Sequence, residues 1–80
     1  MDEHDLVVLL RDLPAPGLLR GDVGTVVHRY ADGKALEVEF VTGAGQTVAV
    51  ATLELGDVRP VGDRDLLHVR ELAGAVTAAR

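Results

Sequence analysis

The chain has 80 residues, with eight Lys and Arg against thirteen Asp and Glu, a net charge of −5. Nearly half of it is apolar, which excludes intrinsic disorder, and its length allows one domain but no second. Cysteine is absent, which removes disulfides, thiolate metal sites and cysteine nucleophiles and points to a reducing compartment. A basic leader with an apolar stretch is not evident, nor is a run of about 18 apolar residues. The composition therefore fits a small soluble cytoplasmic domain that does not engage a membrane.

Thirteen valines and twelve leucines dominate the apolar set. The valines are concentrated between Val7 and Val61, and β-branched side chains suit a pleated, half-buried surface. Leu6-Val7-Val8-Leu9-Leu10 reads as a first buried strand. The loop Asp12 to Asp22 follows, where Pro14, Pro16 and Gly17 forbid regular structure. Val23 to Tyr30 reads as a second strand, and Asp32-Gly33 is a hairpin signal. In Leu36-Glu37-Val38-Glu39-Phe40 the alternation turns Leu36, Val38 and Phe40 to the core and both glutamates to water. After the Thr42 to Gly45 turn, Gln46 to Thr52 makes a fourth strand. Leu53 to Gly56 has the length of one 3₁₀ turn, and Asp57 to Pro60 is a last short strand ended by proline.

Five short strands, one long loop, two hairpins and a helical turn form an order similar to that of SH3-like barrels, with a small OB-type barrel as the alternative. The expected architecture is mainly β: a five-stranded SH3-like barrel over residues 1–61 and a helical tail over 62–80. In 63–79, Leu66, Val69, Leu72 or Ala73, and Val76 recur at helical spacing, and Asp63 or Asp65 is a candidate cap. So short a helix is marginal alone, and Gly74 weakens it further, so its stripe needs a surface to lie on.

The segment Arg20-Gly21-Asp22-Val23-Gly24-Thr25-Val26-Val27 is the most distinctive in the chain. Together with Asp5-Leu6-Val7-Val8-Leu9, Leu36 to Phe40, Gln46 to Val50 and Asp57-Val58-Arg59-Pro60, it resembles a family of small uncharacterised bacterial proteins known as a domain of unknown function. The likeness spans about residues 5–60. It implies fold and solubility and carries no activity. The spacing of Gly21, Gly24 and Val26 also resembles a turn in SH3-like modules of ribosomal and transcription proteins and of enzyme subunits. Locally, one of the two glycines is expected to take a positive φ and the other to allow a bulge or close backbone approach. A phosphate-cradling loop is not indicated, because valines rather than a helix N-terminus follow.

The residues do not point to catalysis. His4, His28 and His68 share no metal-ligand spacing, so neither a metal nor a cofactor is expected. Glu37 and Glu39 sit about 7 Å apart on one strand face, which invites comparison with glycosidase carboxylates, but alternating acids on an exposed face first serve solubility. Serine is absent, and the threonines have no histidine–acid partners in sequence. Nucleic-acid binding calls for a positive field and stacking aromatics, and this chain has one Tyr, one Phe and a net negative charge. No small-molecule substrate is expected of so small a barrel. Protein association remains, either with another protein or with a second copy. Leu13 and Leu18 in the loop, and Leu66, Val69, Leu72 and Val76 in the tail, are the candidate partner-binding residues; the other reading is that Leu18-Leu19 plug the barrel end and that the tail helix packs across its own barrel. The alternatives are a nucleic-acid- or ribosome-associated accessory barrel, or an accessory subunit of an enzyme.

Overall fold

The computed structural model describes residues 1–72. Five strands form one antiparallel sheet: β1 (Leu6–Leu9), β2 (Val23–Arg29), β3 (Ala35–Val41), β4 (Thr47–Glu54) and β5 (Val58–Pro60), in the spatial order β4-β3-β2-β1-β5. A single 3₁₀ turn, Leu55–Asp57, joins β4 to β5. Each strand lies within a residue or two of its sequence-based expectation, because alternation and turn chemistry are local signals.

Alternation builds the core. Leu36, Val38 and Phe40 of β3 are buried, as are Val7 and Leu9 of β1, Val26 of β2, Leu53 of β4 and Val58 of β5. Leu18 joins them from the long loop, and no polar side chain is buried among the described residues. The loop folds on itself through paired backbone bonds between Leu13 and Leu18, which drives Leu18 inward.

Gly21 and Gly24 divide their roles as expected. Gly21 has φ +96°. At Gly24 an added Cβ would lie 2.6 Å from Val38 Cγ1, 2.9 Å from Phe40 Cε2 and 3.0 Å from the carbonyl oxygen of Glu39. Here β2 crosses β3 too closely for any side chain.

Two expectations are corrected. The sheet does not close into a barrel: β4 and β5 are its two edges, and no ladder joins them among the described residues. β5 has only three residues, all in register with β1, and Pro60 has no N–H to offer a further neighbour. The connection through Leu55–Asp57 is only three residues long, so the sheet must bend sharply at that corner, but it stays open.

The tail helix is the second correction. Residues 63–72 contain no helix, and 73–80, with Val76, lie outside the described residues. The Asp65 carboxylate is not free to cap a helix. It accepts two hydrogen bonds from Arg59 (2.7 and 2.9 Å) and one from the Gly62 N–H (2.6 Å). The Asp65 N–H in turn bonds the Gly62 carbonyl, so the chain turns here instead of entering a helix. Leu66 and Val69 are 91% and 90% exposed, and a stripe packed on nothing gives a short helix no tertiary support.

Candidate functional site

From Val61 onward the described chain is a strap without regular structure, and two arginine–aspartate pairs hold it to the sheet. Arg59 grips Asp65 at its start. Near its end Arg70 reaches back to the long loop: Nε bonds Asp22 Oδ1 at 2.8 Å, and Nη2 bonds Asp22 Oδ2 at 2.7 Å and the Gly17 carbonyl at 3.2 Å. Planar guanidinium and carboxylate suit this two-pronged contact.

These contacts set the acidity of both carboxyls. Asp65 is pulled down to about 2, first by the hydrogen bonds from Arg59 and then by the Gly62 N–H. For Asp22 burial pushes upward, but the bonds from Arg70 and the Leu19 N–H, with the Arg70 charge, outweigh it and hold the group below the usual carboxylate range. A third pair closes the corner between β4 and β5. Arg11 Nε bonds Asp57 at 2.8 Å, and the Glu54 N–H bonds the same carboxylate at 3.0 Å. Asp57 is lowered by Arg11 first and the Glu54 N–H second.

Between the strap and the sheet runs an open groove of about 420 Å³. Leu18, Val23, Phe40, Val41 and Val48 line one side, and His68 to Leu72 the other. Val41 and Val69 stand exposed at its rim. Arg70 and Asp22 also border it, already paired with one another.

The opposite face of the sheet carries a polar cluster. Glu37 accepts hydrogen bonds from Tyr30 Oη (2.7 Å) and Thr52 Oγ1 (2.7 Å), and His28 meets the Tyr30 ring edge-on at 4.8 Å. Thr52 first and Tyr30 second lower the Glu37 carboxyl, and the same bond raises the Tyr30 phenol. Glu39 accepts from Thr47 Oγ1 at 2.6 Å. Both glutamates are thus tied to threonines of β4, and neither is joined to a Lys or Arg in the ion pairs found among the described residues. Among the same residues, no group of three His, Asp or Glu is placed to hold a metal ion. No helix of the described residues is long and apolar enough to cross a membrane.

The sequence-based partner residues scatter over this frame. Leu18 is a core residue, 3% exposed, and Leu13 is half-buried beside it. Leu66 and Val69 are exposed on the strap, and Leu72 is half-buried in the groove. Val76 lies outside the described residues. The loop and the strap do meet, but through Asp22 and Arg70, which hydrophobic periodicity does not single out. A hint was present in Asp22, set between Gly21 and Gly24, yet its partner 48 residues away carries no local signal.

A family model, Domain of unknown function (DUF4926), matches residues 3–60. No curated protein and no solved structure gives a significant match. The matched span holds all five strands and ends at the last residue of β5, so the strap lies beyond it. The chain belongs to the DUF4926 family.

Proposed function

We propose that this DUF4926 member is a non-catalytic protein-interaction module. The observation that carries this reading is the open apolar groove between the strap and the β3–β4 end of the sheet, with Val41 and Val69 exposed at its rim. Large apolar side chains gathered along a groove favour a partner's surface over water. Leu66 and Leu67 of the strap are exposed as well.

The titratable groups support the non-catalytic half of the reading. Asp22, Asp57 and Asp65 each hold an arginine, and Glu37 is engaged by a threonine and a tyrosine. Their carboxyls are lowered, the direction that suits fixed structural anions rather than proton donors at neutral pH. A nucleic-acid role gains no support from the charges: Arg11, Arg29, Arg59 and Arg70 are all committed to aspartates of the same chain.

The test is photo-crosslinking from Val41 and Val69 of the full chain, in cells of the organism that encodes it. A single stoichiometric protein crosslinked at both positions, and lost on Val69→Asp, supports the module. A chain that crosslinks to nothing, and sediments as a monomer when pure, overturns it. Tight, salt-sensitive retention of RNA or DNA would overturn it in favour of an accessory nucleic-acid protein.

A further inference from the structure

The outer edge of β4 presents unspent backbone groups. The Tyr30 N–H bonds the Ala35 carbonyl, so Ala35 turns its backbone groups toward β2. Alternation along β3 then turns Leu36, Val38 and Phe40 toward β4. The bond from the Thr42 N–H to the Gln46 carbonyl agrees with this phase. Their partners Leu53, Ala51 and Ala49 spend their backbone groups on β3, and those of Val50 and Thr52 therefore point away from the sheet. Among the described residues no strand pairs with β4 on that side.

This edge lacks the usual guards. Thr47 to Leu53 contains no proline, lysine or other charge, and Val50 is 54% exposed. Proteins commonly protect so long an edge with one of those devices. Along the chain, the hairpin that carries this edge has charges of one sign. From Ala35 to Asp57 the chain holds Glu37, Glu39, Glu54 and Asp57 and no Lys, Arg or His. Of these, Asp57 is neutralised by Arg11. The carboxylates of Glu37 and Glu39 lean over β4, held by Thr52 and Thr47.

We propose that β4 takes up an extended segment of a basic partner protein as a sixth strand of the sheet. This names the binding mode and partner chemistry of the module and rests on that reading. Partner residues opposite Val50 and Thr52 share the outer face with them, and a Lys or Arg there reaches Glu37 or Glu39. The alternate partner residues fall on the inner face, beside Val48 and the apolar groove. Charge complementarity selects a basic segment over a second copy of this chain, which would bring the same Glu37 and Glu39 carboxylates, neither paired with Lys or Arg in the ion pairs found among the described residues, to the junction.

The probes are three synthetic octapeptides: alternating Lys-Val, alternating Glu-Val, and Lys-Val N-methylated at alternate amides. Each is titrated into the ¹⁵N-labelled full chain. The Lys-Val peptide shifts amides of Val48 to Thr52 and binds about tenfold tighter than Glu-Val, an advantage that shrinks in high salt. N-methylation and Val50→Pro each abolish binding. Val50→Pro removes only an outward N–H and is tolerable at an edge. Val50→Lys leaves the backbone intact, repels the basic peptide, and serves if the proline variant fails to fold. Equal binding of Lys-Val and Glu-Val, binding that survives Val50→Lys, or no binding at all overturns the proposal. So does a dimer of the free chain that Val50→Lys dissociates, which would assign the edge to a second copy. A cellular partner whose crosslink at Val69 survives Val50→Lys overturns the β4 mode and leaves the module standing. Peptide binding at β4 with no cellular partner overturns the module and, with it, a partner protein as the occupant of this edge.

Discussion

Arg70 and Asp22 are 48 residues apart in sequence and share two short hydrogen bonds, with the Gly17 carbonyl taking a third from the same guanidinium. This clamp fastens the strap to the long loop. Both residues also border the groove.

Arg70→Ala should release the end of the strap and leave the sheet intact. The pair is part-exposed, so its removal costs about 1 kcal/mol of global stability. The larger change is local: the strap gains fast motion, read as lower heteronuclear NOE values over residues 66–72 with β2 and β3 unchanged. A variant whose strap NOE values stay as they were would show that something other than Arg70 holds it.

Leu18 and Leu19 are neighbours with opposite environments, 3% and 44% exposed. Leu18→Ala should cost about 2–4 kcal/mol in urea unfolding, as for other buried leucines. Leu19→Ala should stay within about 0.5–1 kcal/mol. Similar costs at both positions would contradict the inward packing of the loop.

Gly24→Ala places a methyl against Val38, Phe40 and the Glu39 carbonyl, and the last of these is backbone that cannot swing aside. The expected loss is about 1–3 kcal/mol, read as a lower thermal midpoint. Gly43→Ala, with nothing near the added carbon and no positive φ, is the matched control.

Stability should fall on acidification. Asp22, Asp57, Asp65 and Glu37 all have carboxyls lowered in the folded state. As pH drops below about 4 the unfolded chain therefore takes up protons first, and the equilibrium shifts toward it. The contribution of these groups is complete above that pH and fades as each folded carboxyl protonates, last at Asp65 near 2. Asp65→Asn should flatten the acid limb of a plot of midpoint against pH. An unchanged slope would mean that Arg59 does not hold Asp65 in solution.

Removal of residues 62–80 should leave a folded sheet, because all nine buried apolar residues among the described ones lie between Val7 and Val58. The midpoint falls by several degrees as the two strap clamps are lost. Collapse of the near-native amide spectrum on truncation would make the strap part of the folding unit.

Much of this architecture is written in short-range pattern. The alternation of Leu36 to Phe40 marks a strand with one buried face, and Asp32-Gly33 marks a hairpin; neither needs knowledge of the rest of the chain. The contrast between Gly21 and Gly24 was also legible, since a turn flanking a valine-rich strand needs one positive φ and one close approach. The candidate site was much less so. Edge status, the lean of Glu37 and Glu39 toward β4, and the Asp22–Arg70 clamp all join residues that are distant in sequence. The tail misled for the same reason. Leu66, Val69 and Leu72 keep helical spacing, but a short amphipathic helix exists only if a surface receives its stripe. Here Arg59 and Arg70 hold the chain as an irregular strap instead.

By itself, then, the amino-acid order determined the β character, the strand limits, the inward residues and the acidic surface, because each follows from local backbone preference and side-chain polarity. Only the tertiary structure decided that the sheet stays open, which strand is left at its long edge, and where the strap is fastened. Those outcomes depend on whether a three-residue β5 ending in proline can bond a second neighbour, and on which carboxylate each arginine reaches in space.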